Sequence, residues 1–147
     1  MAHRICRANR RHLADINRII TGVNIGGPLD EIPDLFWFAR ADGHIVGCVG
    51  GEFVDDDTFI ILYLAVERSH QKKHIGMDLL DHAMRYARGR GAKRFALITM
   101  YYRFNWFKRR GFGTIPRAQL PTAVRDHWMF TERRYMKCAA MIAPAQV

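Results

Sequence analysis

The feature that most constrains the fold is an apolar run followed by a basic polar loop and an amphipathic helix. The run is Phe59-Ile-Ile-Leu-Tyr-Leu-Ala-Val66, inside a strand predicted over Thr58–Val66. A strand that is apolar along its whole length is typical of a sheet covered on both faces. We therefore predict that this strand lies at the centre of a sheet in an α/β domain.

The helix predicted after the loop runs from Ile75 to about Arg88 and ends at Gly89 or Gly91. Its apolar residues recur at helical spacing, which predicts one buried face. They are Leu79, Leu80, Ala83, Met84 and Ala87.

The start of this helix is a candidate anion site. A helix N-terminus exposes unpaired backbone N–H groups and carries a positive partial charge, so phosphate groups bind there. Gly76 in the first turn allows the backbone to approach a ligand closely. Lys72 and Lys73 add mobile positive charge beside it.

The other elements predict a mixed, mostly antiparallel sheet flanked by helices, in one domain covering residues 1–147. The predicted order is a strand over 3–8, a helix capped by Asn9, strands over 35–39, 44–54 and 58–66, a helix over 75–88, a strand over 93–99, a helix over 103–110 and a strand over 134–142. A tight hairpin turn is predicted over 41–44, and Gly47, Gly50 and Gly51 indicate a bulge or a close backbone approach.

Composition narrows the classes of protein. The 147 residues carry a formal net charge of +9, which attracts phosphates, carboxylates or nucleic acid. The sequence has no apolar stretch long enough to span a membrane and no secretory signal, and its three cysteines lack metal-ligand spacing. We expect reduced thiols, a cytoplasmic protein and no membrane partner. We do not expect a nucleic-acid partner, since no recognition helix, zinc site or stacking aromatic pair accompanies the charge.

The segment Val66-Glu-Arg-Ser-His-Gln-Lys-Lys-His-Ile-Gly76 resembles the acetyl-coenzyme A motif of the Gcn5-related N-acetyltransferases, the GNAT family. That motif reads Val-x-Pro-x-x-(Arg/Gln)-x-x-Gly-x-(Gly/Ala). Gln71 takes the Arg/Gln position and Gly76 the last one, whereas Arg68 replaces the proline and His74 the first glycine. Trp106-Phe-Lys-Arg-Arg-Gly-Phe112 is similar to the family's later helix.

The resemblance implies a GNAT-like fold with a strand splay at the cofactor site, and acetyl-coenzyme A as co-substrate. An amine would attack the acetyl carbonyl directly, without a covalent enzyme intermediate. The pantetheine arm would pair with backbone groups of Leu64, Ala65 and Val66, where an N–H group would hold the developing oxyanion. The expected cofactor-binding residues further along the chain are Gln71, Lys72, Lys73, His74, Ile75, Gly76 and Phe107.

Two proton transfers need side chains. Phe107 stands where many family members have the tyrosine that protonates the thiolate, so Tyr101 is the candidate acid, with Tyr102 beside it. Glu52 and Glu67 are the candidate bases. Surface carboxylates and packing tyrosines are the alternative interpretations of these residues. His70 and His127 are weaker candidates for the base.

The acceptor is expected to be the primary amine of a small molecule or amino acid. Trp106-Phe107 and Leu120-Pro121 resemble bacterial N-acetylglutamate synthase domains, which also carry a basic cluster on the last strand. The resemblance implies that Arg133 and Arg134, with Lys137, form this cluster and bind the carboxylates of glutamate. A solvated basic strand edge is the alternative. A catalytically silent acyl-coenzyme A-binding module and a basic nucleic-acid-associated protein remain alternative functions. The resemblance also leaves a homodimer open.

Overall fold

The computed structural model describes residues 3–144 and contains a seven-stranded sheet. The strands are Arg4–Arg7 (β1), Phe36–Ala41 (β2), His44–Phe53 (β3), Thr58–Val66 (β4), Arg94–Thr99 (β5), Gly113–Thr114 (β6) and Ala139–Pro144 (β7). Their order across the sheet is β1-β2-β3-β4-β5-β7-β6. The β4–β5 pair is parallel, whereas β1–β2, β2–β3, β5–β7 and β6–β7 are antiparallel. The predicted mixed, mostly antiparallel sheet is confirmed, and β4 has the predicted bounds.

The α-helices are Leu13–Gly22 (α1), Ile75–Gly89 (α2), Phe104–Lys108 (α3), Thr122–Arg125 (α4) and Trp128–Thr131 (α5). A 3-10 helix, Arg10–His12, leads into α1. The predicted cap is confirmed, because the Asn9 side chain accepts from the Arg11 N–H group at 3.0 Å. None of the helices described within residues 3–144 is long and apolar enough to cross a membrane.

The described chain forms two compact units. The first comprises residues 3–52 and 61–86. In its core Ile16, Ile19 and Ile20 of α1 pack with Phe36 of β2 and Ile45 of β3. This packing buries one face of α1.

The second unit comprises residues 53–60 and 87–144. Edge-to-face contacts join Phe59 to Phe53 and to Phe95, with ring centroids 5.0 and 6.2 Å apart. The Arg117 guanidinium donates to the carbonyl oxygens of Phe130, Tyr135 and Cys138 at 3.0, 2.7 and 3.0 Å. One side chain therefore holds together the turns that precede β7.

The β2–β3 hairpin follows the prediction. Asp42 and Gly43 both have positive φ angles, 53° and 82°, as a two-residue type I′ turn requires. The register shifts from Ala39↔Gly47 to Arg40↔Ile45, which is a bulge in β3. A Cβ atom on Gly47 would lie 2.9 Å from the Ala65 carbonyl oxygen, so the close backbone approach is confirmed as well.

The strand predicted over 134–142 is wrong in its first half. Arg133–Tyr135 forms a 3-10 helix, and the strand begins only at Ala139. The reason is tertiary, because the carbonyl groups of Tyr135 and Cys138 bind the Arg117 side chain instead of a neighbouring strand. Arg133 and Arg134 therefore do not lie on the last strand, which corrects the placement inferred for the basic cluster. The helix predicted over 103–110 is also shorter, as α3 shows.

Candidate functional site

The candidate cofactor segment begins at Leu64, in the part of β4 that belongs to the first unit. The parallel ladder with β5 runs from Thr58↔Arg94 to Ile60↔Ala96, although β4 continues to Val66. Beyond that ladder Tyr63 has a φ angle of 54°, a left-handed conformation that a bulky residue rarely adopts. The three residues expected to pair with pantetheine, Leu64 to Val66, follow this irregularity directly.

Two residues of the loop after β4 give it a backbone that suits anion binding. Lys72 and His74 both adopt left-handed conformations, with φ angles of 66° and 64°. Alternating handedness turns successive backbone N–H groups toward one side, where they form a concave anion site. The Asp78 N–H group donates to the His74 carbonyl oxygen at 3.0 Å, so the hydrogen bonds of α2 start at the last residue of this loop.

Gln71 anchors the loop to the strand. Its side-chain amide donates to the Val66 carbonyl oxygen at 2.9 Å, which ties the first residue of the loop to the last residue of β4. Gln71, Lys72, Lys73 and His74 are exposed, whereas Ile75 is buried and fixes the start of α2 in the core. The loop thus presents its polar groups to solvent from a rigid base.

His74 is the main departure from the family motif. A glycine would adopt its left-handed conformation without steric cost, whereas any residue with a Cβ atom is strained there. The structure nevertheless keeps the glycine-like backbone, and the side chain is exposed. The substitution therefore changes the stability of the loop while its backbone conformation is kept.

Glu67 lies in a dense polar cluster of the first unit. Its Oε2 accepts from the Ser69 hydroxyl at 2.8 Å, its Oε1 is 3.3 Å from His44 Nε2, and Arg18 approaches at 3.6 Å. Burial raises the pKa of Glu67, but hydrogen bonds with Ser69 and His44 outweigh it and hold the pKa below its usual value. Glu67 is therefore a carboxylate at neutral pH. Its Oε2 is hydrogen-bonded, whereas among the described residues its buried Oε1 has ion-pair contacts with His44 and Arg18 but no hydrogen bond.

His70 and Asp42 complete this cluster. His70 is buried, its Nδ1 is 3.3 Å from Glu67 Oε2, and its Nε2 is 2.8 Å from Asp42 Oδ2. The hydrogen bond with His70 lowers the pKa of Asp42. His44 and Asp42 were not singled out from the sequence, because only the folded hairpin brings His44 to Glu67 and Asp42 to His70. The one available signal was the i, i+3 spacing of Glu67 and His70.

The other candidate residues fall in both units. Glu52 is exposed near the end of β3 in the first unit. Tyr101 lies in a 3-10 helix after β5 in the second unit and is 74 % exposed, as is Tyr102. Arg133 and Arg134 are exposed in the second unit.

Phe107 is buried in α3. Its ring contacts those of Trp106 and Phe112, with centroids 4.9 and 5.8 Å apart, and the Arg103 guanidinium lies 5.5 Å from its centre. Phe107 therefore serves the packing of the second unit. Its role in cofactor binding stays a prediction.

The sheet is mixed, and the loop and α2 connect its parallel strands β4 and β5. This arrangement is an acyltransferase-like fold. The profile of the Acetyltransferase (GNAT) family matches residues 20–114, about two thirds of the chain. The chain belongs to this family. The sequence-based assignment is confirmed at that level.

Two curated relatives of this chain are described as probable N-acetyltransferases. The protein described as a probable N-acetyltransferase camello from Xenopus tropicalis is 30% identical over 105 residues, which cover 68% of this chain and 48% of that protein. Its Xenopus laevis counterpart is 36% identical over 66 residues, covering 44% of this chain and 30% of that protein. The chain thus spans half or less of the length of these relatives.

Solved structures share the fold. N-acetylglutamate synthase from Neisseria gonorrhoeae, complexed with coenzyme A and N-acetyl-glutamate, has a TM-score of 0.82 at 24% identity, covering 100% of this chain and 36% of that one. A GNAT-family acetyltransferase from Staphylococcus aureus Mu50 has a TM-score of 0.80 at 20% identity, covering 99% and 100%. These similarities confirm the predicted fold class.

Proposed function

We propose that this protein is an acetyl-coenzyme A-dependent N-acetyltransferase. The observation that carries the proposal is the loop between β4 and α2, where Lys72 and His74 have left-handed backbones beside the N-terminus of α2. Such a loop at a helix N-terminus suits a pyrophosphate. The chain belongs to the GNAT family, whose enzymes use acetyl-coenzyme A, and this membership supports acetyl-coenzyme A as the ligand.

In this proposal the backbone of Leu64 to Val66 holds the pantetheine arm, and Gln71 to Gly76 hold the pyrophosphate. Lys72 and Lys73 contribute charge, while the N–H groups define the position of the phosphates. A β4 N–H group polarises the thioester carbonyl and stabilises the oxyanion that forms when the amine attacks. The amine loses one proton and the coenzyme A thiolate gains one, so both products leave neutral at the reacting atoms.

Glu52 is the better candidate for the proton acceptor. Glu67 has its carboxylate held by Ser69, His44 and Arg18, and its lowered pKa makes it a weaker base. Glu52 is exposed at the end of β3 and is reached by solvent, so it can accept a proton through water. Tyr101, which is 74% exposed, is the proposed proton donor to the thiolate.

The acceptor is proposed to be a small amine or amino acid, with glutamate as the first compound to assay. Arg133 and Arg134 are exposed and supply fixed positive charge for carboxylates. The similarity to N-acetylglutamate synthase concerns the fold, and the amino-acid acceptor is an inference from the motifs and these cations. The three free cysteines suit the proposed cytoplasmic location.

A catalytically silent acyl-coenzyme A-binding module is the second candidate. Two observations favour it: strained His74 at the glycine position, and Phe107, which has no hydroxyl group to donate. Such a module would bind acetyl-coenzyme A without turning it over.

Calorimetric titration with acetyl-coenzyme A, followed by a thiol-release assay over a panel of amines that includes glutamate, tests these proposals. Saturable binding with amine-dependent thiol release is expected. Binding without release with any amine would favour the silent module, and no saturable binding would contradict both proposals.

A further inference from the structure

Three side chains of the first unit bring metal-binding atoms together. His44, Glu67 and His70 each offer one ligand atom, and these atoms all lie within 4.8 Å of one another. His44 comes from the start of β3, directly after the hairpin turn. Glu67 and His70 come from the turn that follows β4.

Two of the separations already have the size of a metal site. Glu67 Oε2 lies 3.4 Å from His44 Nε2 and 3.3 Å from His70 Nδ1. Tetrahedral zinc with ligands at about 2.0–2.2 Å needs neighbouring ligand atoms about 3.3–3.5 Å apart. The His44 side chain is 45% exposed, so it can turn to bring its ring closer to His70.

The carboxylate behind His70 is the second, independent sign of a ligand. Asp42 Oδ2 lies 2.8 Å from His70 Nε2, and a carboxylate at this distance favours the proton on Nε2. The lone pair of Nδ1 then faces Glu67 Oε2 and the Ser69 hydroxyl, which lies 3.0 Å from this nitrogen and donates its proton to Glu67. Metal-binding histidines characteristically donate their other N–H group to a carboxylate, which orients the ring and increases its basicity.

We propose that His44 Nε2, the Glu67 carboxylate and His70 Nδ1 bind one Zn²⁺ ion, with Asp42 orienting His70. Two imidazoles and one carboxylate suit zinc, and three protein ligands leave a fourth position for water. Exposed His44 sets the side on which that water meets solvent. Zinc binding forms only coordination bonds and involves no oxidation or reduction.

The positive charge of Arg18 disfavours zinc binding. Its guanidinium lies 3.6 Å from Glu67 Oε1 and also donates to the Ile45 carbonyl oxygen at 3.0 Å. A fixed cation so close to a ligand weakens the binding of another cation. The charge of Arg18 therefore lowers zinc affinity, and its removal should increase it.

The location gives the metal a structural consequence. Glu67 and His70 flank the 3-10 turn that leads into Gln71, where the loop to α2 starts. Zinc would fix this turn, and it would occupy the Glu67 carboxylate. The zinc site itself involves none of the groups proposed to bind acetyl-coenzyme A, so the two proposals can fail separately.

Calorimetric titration of the chelator-treated full chain with zinc chloride, without acetyl-coenzyme A, tests the site. We expect one zinc ion per chain, and Co²⁺ should give the visible absorption of a tetrahedral complex. His44→Gln should weaken zinc at least tenfold, and Asp42→Asn should weaken it roughly tenfold or more. Arg18→Gln should bind zinc more tightly than the unchanged protein.

His74→Gln is the matched control, because it removes an exposed histidine outside the cluster and should leave zinc affinity unchanged. His44 is exposed, so its replacement should not unfold the chain, and thermal denaturation of the variant checks this. No stoichiometric zinc binding by the unchanged protein would overturn the proposal. Equal affinity in the folded His44→Gln variant would also overturn it.

Discussion

The side-chain amide of Gln71 donates to the Val66 carbonyl oxygen at 2.9 Å and closes the loop between β4 and α2 at its base. Gln71→Ala removes this hydrogen bond, which contributes about 1 kcal/mol to holding the loop. We expect about fivefold weaker binding of acetyl-coenzyme A in a calorimetric titration. Gln119→Ala, at an exposed position of the second unit, is the control and should bind like the unchanged protein. Unchanged affinity in Gln71→Ala would mean that the loop holds its shape without this anchor.

Gly76 provides the test of backbone approach. Gly76→Leu places a side chain in the first turn of α2, where the proposed pyrophosphate meets the N–H groups, and should weaken acetyl-coenzyme A binding roughly tenfold or more. Gly89→Leu is the matched control at the other end of the helix, where a Cβ atom meets nothing within 4 Å. An unchanged dissociation constant in Gly76→Leu would show that the ligand does not bind at this helix end.

His74→Gly should stabilise the folded protein. The left-handed backbone of His74 costs about 1–2 kcal/mol, and glycine relieves this cost while losing more freedom on folding. The net gain expected in chemical denaturation is about 0.5–1 kcal/mol. His74→Ala keeps the Cβ atom and should gain nothing, so equal stabilities of the two variants would contradict the strain.

Glu52→Gln should reduce turnover about 10²-fold at neutral pH, if the carboxylate accepts the proton of the amine. Activity should partly return at high pH, because more of the amine is then neutral without help. Amine-dependent thiol release measured from neutral to alkaline pH gives both values. Glu31→Gln, which removes an exposed carboxylate elsewhere in the first unit, should behave like the unchanged protein. Full activity of Glu52→Gln at neutral pH would rule this role out.

Tyr101 and Tyr102 form a natural matched pair, since each is 74% exposed. Tyr101→Phe removes the proposed proton donor and should lower turnover roughly 10²-fold with little change in acetyl-coenzyme A binding. Tyr102→Phe removes an equally accessible hydroxyl and should leave turnover unchanged. Equal rates in the two variants would exclude a specific role for Tyr101.

The central part of the fold could be predicted because its signals are local. The apolar run of β4 and the helical spacing of apolar residues in α2 indicate which faces of these elements are buried. Both elements start at the predicted residues, Thr58 and Ile75. The Asn9 cap and the hairpin at Asp42 depend only on neighbouring residues. Patterns of this kind need no knowledge of the remaining chain.

The tail could not be predicted in the same way. The turns before β7 are held by Arg117, whose side chain reaches carbonyl groups as far along the chain as Cys138. No spacing in the sequence indicates which carbonyl groups an arginine will bind. The strand was therefore predicted too early, and Arg133 and Arg134 were placed on it wrongly.

The site was predictable for the backbone and much less so for the side chains. The loop from Gln71 to Gly76 is one continuous segment, so its position between a strand and a helix indicates its chemistry. The cluster around Glu67 depends on the pairing of strands distant in sequence, since His44 is 23 residues away. A sequence motif can indicate a site that lies on one continuous segment, but not one that is assembled by the pairing of distant strands.

The left-handed Tyr63 in β4 also limits which residues its neighbour in the sheet can be. The Cys48 thiol donates to the Tyr63 carbonyl oxygen at 3.3 Å from a fully buried position, and burial raises the thiol pKa to about 12, which keeps the proton needed for this bond. Position 48 must therefore combine small volume with a side-chain hydrogen donor. In a library of all substitutions at this position, serine should survive better than alanine, because serine keeps a donor for the Tyr63 carbonyl group and alanine removes it. The tolerance of one strand to mutation is thus set by the backbone of another.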